Sequence, residues 1–154
     1  MKRKILFICC FILLLCGCST SKEKKDEEEL LTDNDFGFTI ILDNGLGLHK
    51  GFQIKNMNDY IGDEYEETKK NNNTIYSNKN IQITLDKNNK IKKVILLTDY
   101  YQVEGNIRVG NNKNDLNYSN NKVTSTKYIA SSEKKTVKMT YLLSNNQITK
   151  IILS

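Results

Sequence analysis

Two stretches of the chain repeat one another, and this self-similarity limits the fold more than any single motif does. Ile61-Gly62-Asp63-Glu64-Tyr65-Glu66-Glu67-Thr68 aligns with Val109-Gly110-Asn111-Asn112-Lys113-Asn114-Asp115-Leu116: a β-branched residue, Gly, Asx, a polar run and an acid at the same offset. Further on, Ile81-Gln82-Ile83-Thr84-Leu85, Asn88-Asn89 and Ile91-Lys92-Lys93-Val94-Ile95-Leu96 align with Val137-Lys138-Met139-Thr140-Tyr141, Asn145-Asn146 and Ile148-Thr149-Lys150-Ile151-Ile152-Leu153. A repeat of this kind points to a supersecondary unit used twice, at about residues 61–98 and 109–154.

Each unit has a physical reading. Asp63 with Glu66 three residues on has the spacing of an N-cap and its capping-box partner, which predicts a short helix to about Lys70; Asn112 with Asp115 is the second version. Alternation at Ile81, Ile83 and Leu85, and at Val137, Met139 and Tyr141, places apolar groups on one face of a strand. Lys87-Asn88-Asn89-Lys90 and Ser144-Asn145-Asn146-Gln147 read as tight hairpin turns, because Asn tolerates a left-handed backbone. Residues 94–97 and 151–153 are apolar on both faces and are expected as central strands under the helices. Residues 74–77 or 123–130 supply an earlier strand. Phe36-Gly37-Phe38-Thr39-Ile40-Ile41-Leu42 reads as an N-terminal strand entering an Asp43-Asn44-Gly45 turn. The fold expected from the sequence is α+β: two tandem repeats of a helix and a three-stranded antiparallel meander, preceded by one N-terminal strand.

The first eighteen residues carry an export signal. Lys2, Arg3 and Lys4 precede an unbroken apolar run over residues 5–15, which at ~1.5 Å per residue is only ~17 Å long as a helix, short of a ~30 Å hydrocarbon core. The run closes on Leu15-Cys16-Gly17-Cys18. This ending resembles the bacterial lipoprotein signal, or lipobox. The resemblance implies cleavage between Gly17 and Cys18, diacylglycerol on the Cys18 sulfur, and a membrane-anchored chain on the extracytoplasmic face. Cys9, Cys10 and Cys16 lack the preceding Gly and sit in or at the end of the apolar run, where a thiol behaves as a small hydrophobe.

With residues 1–17 removed, the 23 Lys and Arg lose Lys2, Arg3 and Lys4 while all 18 acids remain, so the formal charge falls from +5 to +2. The remaining lysines are interspersed with acids along the sequence, which argues against a nucleic-acid partner. All four cysteines lie at or before position 18, so the folded part has no disulfide and no thiolate nucleophile. Residues 18–32, with Lys22-Glu23-Lys24-Lys25-Asp26-Glu27-Glu28-Glu29, offer little to bury and are expected to be a flexible charged tether. Residues 33–154 are then a single globular domain.

Motifs for chemistry are weak. Gly45-Leu46-Gly47-Leu48-His49-Lys50-Gly51 misses a phosphate-loop spacing by one residue, and His49, the only histidine, has no second His or Cys with which to hold a metal. Asp33, Asp35 and Gly37 hint at a calcium loop, but Phe36 and Thr39 supply no carboxylate. No cofactor and no metal are expected.

The Ile/Val-Gly-Asp/Asn starts and the Lys-Ile/Val-Ile-Leu closing strands, over about 61–153, resemble the tandem repeats of the β-lactamase-inhibitor-protein-like group and of small Gram-positive lipoproteins. The resemblance implies a protein-binding role without catalysis; no inhibitor contact residue carries over. The function expected is therefore a non-catalytic, membrane-anchored module that binds an envelope protein or polymer. Tyrosine is enriched at contact surfaces, and Tyr100 and Tyr101, between the repeats, are the pair expected to be exposed there. Two alternatives stand beside this reading. One is an immunity or exclusion lipoprotein. The other is a hydrolase pairing Glu64, Glu66 or Glu67 with Asp99 or Glu104, since two carboxylates held ~5–9.5 Å apart suffice for glycosidic chemistry.

Overall fold

A computed structural model of the chain describes residues 37–154. The signal at 1–17, the Gly17–Cys18 cleavage and lipidation site and the tether at 18–32 lie outside the described residues.

The sequence-predicted α+β fold is not what forms. Among the described residues there are eleven strands, one four-residue helix and one 3-10 turn, arranged as two antiparallel sheets. A small sheet joins β1 (Ile40–Ile41), β2 (Gly47–Leu48) and β7 (Gln102–Val103) in the order β2-β1-β7. The N-terminal strand is therefore half of a hairpin rather than a lone element. The large sheet holds β3 (Glu66–Lys70), β4 (Asn73–Ser77), β5 (Ile81–Leu85), β6 (Ile91–Leu96), β8 (Asn121–Val123), β9 (Lys127–Ser131), β10 (Lys138–Ser144) and β11 (Gln147–Leu153). Its order is β3-β4-β5-β6-β11-β10-β9-β8.

The helix expected from Asp63 to about Lys70 is replaced by β3. Every residue of β3 is exposed and none is apolar, so a helix here would have had no face to bury. The pattern suits an edge strand instead, since charges along a free edge discourage further pairing. What dictates the strand is Asn71-Asn72, both left-handed at φ 50° and 58°, which close a tight hairpin pairing Lys70 with Asn73 and Glu66 with Ser77. The second predicted helix shrinks to a 3-10 turn at Lys113–Asp115, and there the capping box does form: the Asn112 side chain accepts from a backbone N–H, and Asp115 accepts from Asn112 N at 3.0 Å. The only α-helix among the described residues, α1 (Asn58–Ile61), precedes the predicted position.

Most strands expected in the meanders are present, but the single strand expected over 123–130 is the end of β8 and most of β9 with a turn at 124–126 between them, and each half of the large sheet has four strands where three were expected. β5 alternates buried and half-buried residues, and the closing runs, now β6 and β11, pair at the centre of the large sheet. Ile81, Leu96, Ile151, Tyr141 and Tyr128 form one row across five strands, all buried. Over this face pack Phe38, Ile40, Leu48, Ile54, Met57 and Val103, in a single continuous core. Backbone bonds fasten the covering segment to the sheet: Gly51 N donates to Ile91 O at 2.8 Å, Ile91 N to Phe52 O at 2.8 Å and Ile54 N to Asn89 O at 2.9 Å. The layer expected to be helical is thus supplied by irregular chain, the small sheet and α1.

Candidate binding cleft

The alternation of strand connections puts the β4–β5 turn beside α1 and the turn at 43–45, and the loop at 99–101 closes the group. Between them lies a cleft of about 940 Å³, within the size range of ligand sites. Two of its turns are fixed by asparagine side chains that bond to nearby backbone. Asn78 Oδ1 accepts from Asn80 N at 2.9 Å and Ile81 N at 3.1 Å, which shapes the β4–β5 turn. Asn44 Oδ1 accepts from Leu46 N at 3.0 Å, and its amide donates to Asp59 O at 3.2 Å, tying the β1–β2 turn to α1.

Tyr100 and Tyr101 both line the cleft, but they are not the exposed pair expected. Tyr100 is 52% exposed, whereas Tyr101 is only 4% exposed. The rings meet edge to face with centroids 4.8 Å apart, so Tyr101 is the buried footing on which Tyr100 stands. The Tyr100 hydroxyl donates to Asp43 Oδ2 at 2.9 Å, and this bond, ahead of the Asp43 charge itself, raises the Tyr100 pKa above its ordinary value. Burial raises that of Tyr101.

Sequence reasoning missed the group that sets this loop. Arg108 donates to Asp99 O at 2.8 Å and Tyr100 O at 3.2 Å, and through its other terminal nitrogen to Gln102 Oε1 at 2.6 Å. A guanidinium presents a planar fork of donors that a lysine lacks. The available signal was composition: Arg108 is the one arginine between residues 37 and 154, among sixteen lysines.

Tyr60 and Tyr65 complete the aromatic lining. Tyr65 meets Tyr76 edge to face at 5.2 Å and donates its hydroxyl to Asn58 Oδ1 at 2.7 Å. Burial raises the Tyr76 pKa, with the neighbouring Glu67 a smaller cause. Asp43, Asp59, Glu64 and Glu66 line the cleft against one cation, Lys79, so the site is acidic as well as aromatic.

No protein-family model, curated protein or solved structure matches the chain. What the cleft can do therefore rests on its own groups. It presents a pinned ring face, amides that donate and accept, and carboxylates for charge-assisted bonds. The carboxylate pairing expected for a hydrolase is not assembled: Glu64 and Glu66 line the cleft but Asp99 and Glu104 do not, and Glu104 Oε2 accepts from Gly37 N at 3.1 Å. Among the described residues no group of three or more His, Cys, Asp or Glu is placed to hold a metal. His49 packs edge to face on Phe52 at 5.2 Å.

Proposed function

We propose that the chain is a lipid-anchored protein of the extracytoplasmic membrane face, fixed through diacylglycerol on Cys18, that binds a hydrophilic envelope protein or polymer without catalysis. The observation that carries the binding role is the Tyr100 ring, half exposed over an acidic cleft of about 940 Å³ and pinned by Asp43 and Tyr101. A ring already held in place loses little freedom when a ligand lies on it, so more of the contact energy appears as affinity. The amides around it set orientation, and an open polar cleft suits an extended ligand better than a small apolar one.

The test uses the full chain in native cell envelopes, with a photocrosslinking amino acid in place of either Tyr100 or Thr84, a half-buried residue on the opposite face of the sheet. A discrete adduct from position 100 and none from position 84 is expected. Equal adducts from both would overturn the cleft as the site. Anchoring is tested separately: Cys18→Ser should abolish acyl labelling and release the chain from the membrane fraction, and a variant still labelled would remove the anchor.

A further inference from the structure

We infer that the edge of the large sheet opposite the cleft is a second binding surface, one that takes a linear polyanion by charge alone. The case starts from how charge divides along the chain. Residues 37–154 carry 17 Lys and Arg against 11 Asp and Glu, a formal +6, while residues 18–36 carry 3 against 7, a formal −4. The near-neutral total conceals a basic domain.

Register then concentrates that charge. β3 runs away from the cleft and β4 returns towards it; β5 runs away and β6 returns; β9 runs away and β10 returns. Three hairpin tips therefore share the edge far from the cleft: the β3–β4 tip with Lys69 and Lys70, the β5–β6 tip with Lys87 and Lys90, and the β9–β10 tip with Lys134 and Lys135. With strands ~4.8 Å apart, the tips stand ~10 Å and then ~14 Å from one another, a line of paired cations ~24 Å long. Lys50 adds to the third tip, its Nζ donating to Thr136 O at 2.8 Å. Three acids stand at or beside the edge: Asp86, Glu133 and Glu67, whose Oε1 lies 3.4 Å from Lys69 Nζ in an exposed and therefore weak ion pair, while Asp86 Oδ1 accepts from the backbone of Asn88 and Lys90 at 2.8 and 3.0 Å. The acids of the cleft lie at the other end of the strands.

The composition of the tips selects the partner. They read Lys-Lys-Asn-Asn, Asp-Lys-Asn-Asn-Lys and Ser-Glu-Lys-Lys-Thr, with no aromatic or large aliphatic side chain to enter a bilayer interface. Protein interfaces deplete lysine and enrich aromatics and arginine, the reverse of what stands here. Lysine is a compact, mobile point charge, suited to the repeated phosphates or carboxylates of an extended polymer. Binding of this kind releases counterions, so log affinity falls linearly with log salt, by about 0.7 per neutralised phosphate on a flexible strand. This surface is independent of the cleft and of whatever the cleft binds.

The experiment is fluorescence anisotropy of labelled inorganic polyphosphate against the full chain in zwitterionic detergent, across a salt series. Two variants of equal charge are compared. One replaces Lys70, Lys87, Lys134 and Lys135 with Gln; the other replaces Lys113, Lys122, Lys127 and Lys150 with Gln. The edge variant should lose at least about tenfold in affinity and show a shallower salt dependence, with the control within about threefold of the parent. Equal losses in the two would show a response to net charge only and overturn the edge as the site. No binding of polyphosphate would overturn the polymer as its ligand.

Discussion

Gly37 leaves no space for a side chain, and the reason is a tyrosine cluster in which half-buried Tyr118 covers buried Tyr128 and Tyr141. A Cβ there would stand 2.7 Å from Tyr118 Cε1, and the backbone sits at φ +89°, where L residues are strained. The Tyr118 hydroxyl donates to Gly37 O at 3.0 Å and shares a short hydrogen bond with the Tyr141 hydroxyl, while Tyr118 N donates to Tyr128 Oη at 3.3 Å. These bonds satisfy polar tips that would otherwise be costly inside a core. Burial is the main cause that pushes the Tyr118 pKa up to about 12, and it pushes that of fully buried Tyr141 higher still. In the unfolded chain both would ionise near ~10. The folded state therefore keeps protons that the unfolded state releases. Stability from this pair is fully present below pH ~10 and declines as pH rises towards 12, by on the order of 2–5 kcal/mol for the two groups together. Urea midpoints measured from neutral to strongly alkaline pH should show that decline, and Tyr118→Phe with Tyr141→Phe should flatten it. If all eight tyrosines formed tyrosinate together near pH 10 with no loss of stability, the cluster would not be holding its protons.

The asparagines do more to define the elements than the apolar pattern does. Asn71-Asn72 and Asn145-Asn146 are left-handed at both positions, as a two-residue hairpin requires, whereas in the β5–β6 turn only Asn89 is, at φ 59°. That turn contains its own control. Asn89→Ala should cost about 1–2 kcal/mol, because an alanine meets the left-handed penalty in full, while Asn88→Ala should cost under about 0.5 kcal/mol; chemical denaturation of the two variants checks the difference. The turns at 87–90 and 144–147 were legible in the sequence because apolar alternation flanks them. The identical Asn-Asn signal at 71–72 was not, because β3 has no apolar residue to mark it as a strand and the Asp63–Glu66 spacing imitated a helix start. The central position of β6 and β11 could be read from side chains apolar on both faces. The cleft could not be read as a whole, since it unites residues 43–44, 58–62, 64–66, 77–80 and 100–101; Tyr100 is legible as a candidate, but its bond to Asp43 spans 57 residues.

The two halves of the large sheet, β3 to β6 and β8 to β11, meet only at the β6–β11 seam. Its register pairs Val94 with Leu153, Ile95 with Ile152 and Leu96 with Ile151, so residues that align in the sequence face one another about the Ile95–Ile152 pair. Three pairs are a narrow junction for a sheet of this width. What prevents the halves from behaving separately is the core beneath: Leu96 and Ile151 are fully buried in the same row as Ile81 and Tyr141, and one cluster runs under all of them. Ile152, one residue along, lies half-buried on the other face. Ile151→Ala should therefore cost about 2–5 kcal/mol, because it leaves a cavity under the seam, and Ile152→Ala should cost under about 1 kcal/mol, because water can fill the space it leaves. Urea unfolding of Ile151→Ala followed by tyrosine fluorescence and by circular dichroism should give one shared transition at a lower midpoint, since removing a contact common to both halves weakens both at once. Two separated transitions would instead mean that each half holds its own core and that the seam merely joins them.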